Sequence, residues 1–250
     1  MALIALTFTG TTTDRVENPI QALGTDPQAL LAWAWIYPFA FSNGRAVFSQ
    51  AAAGGTAGYR ICSTRSTGAI RLEVDRATTD LSFTSSTLLL ALQWQFVAYQ
   101  YDIAAGTAQM FIGTRFAPVA EVAYAGGGTM GSGATVTDSG GVARWGSNTG
   151  ASLALAGAIW RGGLMLQTMT LAQLREIQFN TAKYLRSSYD YKEFGVPWGT
   201  SMVPDKSGHG NTGVATLTLT APSSLGEPPQ VPPLGFVGSP SFVLGARLAG

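Results

Sequence analysis

The chain is poor in the residues that carry most protein chemistry: among 250 residues it has one cysteine and one histidine, and only 12% are charged. A single thiol, Cys62, excludes both an intrachain disulfide and a thiolate metal cluster. It sits in the strand-like stretch Tyr59-Arg60-Ile61-Cys62 and reads as a small buried hydrophobe. With His209 alone, three His or His/Cys zinc ligands cannot be assembled. Fifteen basic against 14 acidic residues leave a net charge of +1, and no basic run is present, so the counterion release that drives nucleic-acid binding is not expected. The longest apolar stretch, Ala29 to Tyr37, is of strand length and far short of a membrane span. Met1 to Phe8 has no basic segment before its apolar residues and is expected to be a first strand, not a secretion signal.

Apolar residues, 46% of the total, and 31 glycines are what the chain has in abundance. The glycines cut it into short segments rich in Val, Ile, Leu, aromatic residues and Thr, the texture of an all-β sandwich or barrel. Such sandwiches commonly run to about 200–250 residues as one unit. Strands are expected at Leu3 to Thr9, Leu30 to Tyr37, Ala46 to Gln50, Tyr59 to Ser63, Ala69 to Val74, Gln95 to Asp102, Thr107 to Ile112, Val142 to Trp145 and Ala154 to Leu166. Ile70, Leu72 and Val74 alternate with Arg71, Glu73 and Asp75, which gives one face to the core and one to water. The Trp33 segment is apolar on both faces, as suits an inner strand covered on both sides. One helix is expected over Thr170 to Arg186, opened by a capping box of Thr170 and Gln173, with Leu171, Leu174, Ile177, Ala182 and Leu185 on or near one face.

Beyond residue 220 the composition changes, since half of the 12 prolines fall there. Proline disfavours both helix and inner strand, yet the segment keeps Leu234, Phe236, Phe242 and Leu244, with only Glu227 and Arg247 charged. A disordered tail is usually more charged and less apolar. The expected organisation is a sandwich over residues 1–220 and, over 221–250, an extended arm that buries those four side chains on its own domain or on a neighbour.

The order of segments resembles a laminin-G-like domain of the concanavalin-A-like jelly-roll class, over roughly residues 3 to 220. Leu6-Thr-Phe-Thr-Gly10 is similar to its opening strand, and Leu31 to Pro38 to its tryptophan-bearing strand before a proline. Gln93 to Asp102, Ala108 to Thr114, Trp145-Gly-Ser147, Leu155 to Leu166 and Asp205 to Gly213 then resemble the family's later elements in their proper order. The resemblance implies a two-sheet antiparallel jelly-roll sandwich with one short helix. The acid-rich loop that often holds calcium in relatives is not evident, so no cofactor is expected.

A glycosidase on this fold needs two carboxylates flanking the sugar bond. Glu73-Val-Asp75 has the spacing to put both on one strand face, but the reading preferred here is a solvated outer face between Arg71 and Arg76, and no enzymatic activity is expected. His209, between Gly208 and Gly210, reads as part of a turn in which Asp205 or Asn211 hydrogen-bonds the backbone. Gly126 to Gly133 lacks the lysine and the strand-to-helix frame of a phosphate loop and reads as a flexible surface loop. Sugars stack on tryptophan and tyrosine, and Trp198, in Val196-Pro-Trp-Gly-Thr, is the tryptophan best placed to be exposed on a loop.

Two functions fit these features. Low charge, the lack of a catalytic set and the apolar arm point to a non-enzymatic structural protein of a phage-like virion, a capsid decoration or tail-associated subunit, whose partners are other virion proteins or copies of itself. The alternative is a lectin-like carbohydrate-binding module for glycans on a host surface. Neither nucleic acid nor a membrane is an expected partner.

Overall fold

The structure, a computed structural model, describes residues 5–10, 14–18, 27–51, 58, 60–136, 141–148, 154–180, 190–194, 202–203 and 205–216. Among them are 15 strands in two antiparallel sheets. The seven-stranded sheet runs in the order β1 (Leu6–Thr9), β12 (Ala156–Met165), β3 (Ala29–Pro38), β8 (Gln95–Asp102), β9 (Thr107–Thr114), β10 (Ala120–Glu121). β13 (Asp190–Glu193) follows β1 along the same edge of β12, pairing with Arg161 to Leu164 where β1 pairs with Ala156 to Ile159. The eight-stranded sheet runs β14 (Met202–Val203), β15 (Gly213–Thr216), β2 (Arg15–Asn18), β11 (Val142–Trp145), β4 (Arg45–Ala51), β5 (Arg60–Thr64), β6 (Ala69–Val74), β7 (Leu81–Leu88). This is the expected jelly-roll sandwich of the concanavalin-A-like kind.

Alternation builds the interior. Ile70, Leu72 and Val74 of β6 and Val97, Tyr99 and Tyr101 of β8 enter one cluster between the sheets, together with Phe8, Phe48, Cys62 and Trp145. The opposite faces of β3 and β8 carry Trp33, Trp35, Phe96 and Ala98 into a second cluster, so the Trp33 strand is covered on both sides. Helix α1 (Leu171–Phe179) covers that second cluster with Leu174 and Ile177. Thr170 and Gln173 close the capping box at its start, and Asn180 ends it. Residues 181–186 of the longer expected helix lie outside the described residues.

A buried glutamine clamps the helix to the sheet. Gln178 Oε1 accepts the Val119 N–H at 2.6 Å, and its Nε2 donates to the carbonyls of Thr114 and Ala117 at 2.8 and 2.9 Å. The Gln178 carbonyl accepts the Trp35 indole N–H at 3.1 Å. Gly113 makes room for this, because a Cβ there would stand 2.7 Å from Gln178 Nε2.

The glycine-rich stretch Gly126 to Gly133 is not a free surface loop. It lies along the outer edge of β7 and the turn before it, with isolated bridges Thr79–Ser132, Ser82–Thr129 and Ser85–Tyr124. Arg76 fastens it through the carbonyls of Met130 and Gly133, at 3.0 and 2.7 Å. An edge strand exposes unpaired backbone groups that invite another chain, and this segment satisfies them.

Candidate functional site

One residue in two along the eight-stranded sheet turns into the core, so the remainder stand together on its outer face. Register aligns them in rows. Glu17, Arg144, Ser49, Glu73 and Ser82 fall in line across β2, β11, β4, β6 and β7. Ser63, Arg71 and Thr84 form a second line beside them, with Arg15 on β2 at its far end. The outer face of the seven-stranded sheet is closed by α1 and the second cluster.

The charges on this face are mutually paired. Glu17 Oε2 takes the Arg144 Nε at 2.8 Å and the Arg15 Nε at 3.0 Å. Arg71 Nη2 meets Glu73 Oε1 at 2.6 Å and donates to Ser82 Oγ at 3.2 Å. Burial opposes ionisation of Glu17, but the Arg144 and Arg15 guanidiniums outweigh it and hold the carboxyl below its usual range. At Glu73 burial wins over Arg71 and Arg65 and lifts the carboxyl above that range. These five charged side chains are only 13–29% exposed. Between them Ser49 and Ser63 are wholly buried; Ser49 Oγ donates to the Ser147 carbonyl at 2.7 Å, whereas Ser63 Oγ and Arg71 Nε find no partner among the described residues. Guanidinium forks beside carboxylates supply fixed donors and acceptors, an arrangement that suits adjacent hydroxyl groups of a polyol.

The expected solvated face at Glu73-Val-Asp75 is thus a half-buried one, because Glu73 lies against Arg71. Asp75 stands just past the end of β6 and accepts the Gly58 N–H at 2.6 Å. Each carboxylate is committed to a partner of its own. Trp198, the expected stacking residue, lies outside the described residues, as do Leu234, Phe236, Phe242 and Leu244. Trp33, Trp35, Trp94, Trp145 and Trp160 are all buried, so none of the described tryptophans is offered to a sugar ring. The sequence shows Arg71 and Glu73 through their alternation, but it does not show Arg144 and Glu17 as partners, since 127 residues separate them.

His209 lies in a built turn. Asp205 Oδ1 accepts the N–H groups of Tyr191 and Ser207, at 3.1 and 2.8 Å. Its Oδ2 accepts the Ser207 hydroxyl at 2.8 Å and the Asn211 N–H at 3.1 Å. Burial works against this carboxylate, but the four hydrogen bonds prevail and hold it below the usual range. Ser207 Oγ is 3.0 Å from His209 Nδ1. Because its single proton goes to Asp205, the imidazole meets it as a donor, the reverse of a base activating a nucleophile. Gly208 and Gly210 hold positive φ, 91° and 76°.

No protein-family model matches the chain, and no curated protein matches it. Solved structures do. A candidate carbohydrate-binding protein from Bacteroides ovatus superposes with a TM-score of 0.58 at 15% identity, covering 86% of this chain and 61% of that one. The CBM40 domain of a Ruminococcus gnavus IT-sialidase, bound to α2,3-sialyllactose, superposes with a TM-score of 0.51 at 10% identity, covering 71% of this chain and 97% of that domain. The chain therefore spans about three fifths of the length of the Bacteroides protein. At these identities the likeness is one of fold.

Proposed function

We propose that the chain is a non-enzymatic carbohydrate-binding module whose glycan lies on the outer face of the eight-stranded sheet, against Arg71, Glu73, Arg144 and Glu17. The observation that carries this reading is the half-buried, charge-paired row on that face, on a sheet whose counterpart is sealed by the helix. The fold is also one on which the Ruminococcus domain binds a sialylated sugar, and fold by itself does not assign a ligand. The role in a virion, expected from low charge, the lack of a catalytic set and the apolar arm, finds no support in the described sandwich or in the similar structures; sugar binding is better supported. Trp198, the stacking residue expected from the sequence, is the alternative contact.

Glycan-array screening followed by calorimetry tests the site. The full chain is expected to bind a defined glycan, and Arg71→Ala or Arg144→Ala to weaken it by about tenfold or more, as loss of a charge-assisted hydrogen bond does. If no glycan binds, the function is wrong. Undiminished binding in both arginine variants, with loss on Trp198→Ala, moves the site off this face.

A further inference from the structure

Six large apolar side chains among the described residues are exposed, and four of them stand at one end of the sandwich: Leu88 (49%), Leu90 (54%), Leu92 (62%) and Phe116 (89%). Register fixes that end. Leu88 pairs with Ala69 at the close of β7, and the loop 89–94 crosses to the start of β8, where Gln95 pairs with both Ile36 and Thr114. Phe116 follows Thr114, with the Arg115 guanidinium 5.6 Å from its ring centroid. Beside them a run of ring contacts joins Trp94, Tyr37 and Phe39, with centroids 5.4 and 6.0 Å apart. Leu92 is the sole described residue other than glycine with positive φ, 59°, a conformation that a branched side chain resists. Its N–H is tied to the Pro38 carbonyl at 2.8 Å. The loop is thus fixed in a form that holds leucines outward, and contiguous exposed apolar surface of this kind marks a contact site.

We infer that this surface is the seat of the chain's own C-terminal segment, which lays Leu234, Phe236, Phe242 and Leu244 on Leu88, Leu90, Leu92 and Phe116. The last described residue, Thr216, ends β15 opposite Arg15. Following the pairing across the sheet from Arg15 to Arg45, Thr64 and Leu88 puts Thr216 at that same end. Six strand spacings separate β15 from β7, roughly 29 Å at about 4.8 Å each. Residues 217–233 reach about 55 Å when extended, ample to bring Leu234 to the loop. The segment carries only Glu227 and Arg247 as charges from residue 221 onward, so apolar contact is what it has to offer. Its prolines suit an extended path that adds no strand to the sheet. This contact at the end of the sheet is independent of glycan binding on its outer face.

The test uses the full chain and two variants. In one, Leu234, Phe236, Phe242 and Leu244 are all replaced by Ser; in the other Leu90→Asp and Leu92→Asp are combined, both at exposed positions that leave the core intact. Backbone hydrogen exchange over residues 88–94 is expected to quicken about tenfold in the serine variant, with the sandwich still unfolding cooperatively and its melting temperature only slightly lower. Chymotryptic cleavage at Phe236 and Phe242 is expected to quicken by a similar factor of about ten in the aspartate variant. Equal exchange in the full chain and the serine variant, together with equal cleavage in the full chain and the aspartate variant, overturns the proposal. So does protection of residues 88–94 that rises with protein concentration alongside the mass seen by light scattering, since the occupant is then a second copy.

Discussion

A carboxylate that accepts four hydrogen bonds stabilises a fold only while it is ionised, and Asp205 is such a residue. The bonds draw together Tyr191 on β13, Ser207 and Asn211, so one side chain organises a turn and ties it to a strand. Asp205→Asn places an amide N–H against two of those donors. It is expected to cost about 2 kcal/mol at neutral pH, since hydrogen bonds to a charged group contribute about 1.5–3 kcal/mol. The pH dependence has a definite sign. The folded carboxyl titrates below the ordinary aspartate value of 3.8, so its stabilisation is present above that value and is lost as pH falls through the folded one. The gap between wild type and Asp205→Asn, read from urea denaturation, is expected to narrow below about pH 4. A gap unchanged down to pH 2 contradicts the assignment. The flanking glycines and Asp205 announce a turn in the sequence, but the Tyr191 donor, 14 residues earlier, is visible only in the fold.

At the scale of elements, what the sequence reveals depends on whether hydrophobic residues mark the alternation. β3, β6 and β8 stand out because Leu, Ile, Val, Trp and Tyr line their faces. β7 does not, since Leu81-Ser-Phe-Thr-Ser-Ser-Thr-Leu88 puts serine and threonine at most of its positions and even turns Ser85 inward. The short strands β2, β10, β14 and β15 span two to four residues each, too few for a periodicity to register. The same limit hid the role of Gly126 to Gly133: its composition suggests looseness, whereas the neighbouring edge of β7 gives it a ladder to join. Gly131 has φ of 70°, and a Cβ there would collide with the Thr79 carbonyl oxygen. Gly131→Ala is expected to detach the segment and cost about 1–3 kcal/mol. Hydrogen exchange at Thr129 and Ser132 should quicken selectively, and a variant with native exchange and native melting temperature would show the edge cover to be dispensable.

On the scale of the whole molecule, the laminin-G-like order of segments anticipated the two sheets, because the middle strands of each, β12, β3, β8 and β9 in one and β11, β4, β5 and β6 in the other, fall in stretches that the sequence marks as strands. The polar tie that joins the sheets beside their apolar core was not legible, because its members come from distant positions. Lys192 Nζ is wholly buried between Asp190 Oδ1, at 2.6 Å, and the Asn211 carbonyl, at 2.5 Å. The second oxygen of Asp190, on the seven-stranded sheet, receives Asn18 Nδ2 at 3.1 Å and the Trp145 indole N–H at 3.5 Å, both from the eight-stranded sheet. The cluster therefore spans the sandwich. Removing one member of a buried ion pair leaves the other uncompensated, whereas removing both is often nearly neutral. Lys192→Met is expected to cost about 3–5 kcal/mol, and adding Asp190→Asn to recover most of it. Burial already lifts the Asp190 carboxyl above its usual range, with Lys192 the main opposing influence. In Lys192→Met that rise is unopposed by the lysine, so the folded state takes up its proton more readily than the unfolded chain. The variant's deficit is then smallest below the ordinary aspartate range and grows as pH rises through the folded value. Denaturation curves for both variants across the acid range decide the matter: a double variant as unstable as the single one, or a deficit that shrinks with rising pH, means that the pair does not join the sheets as described.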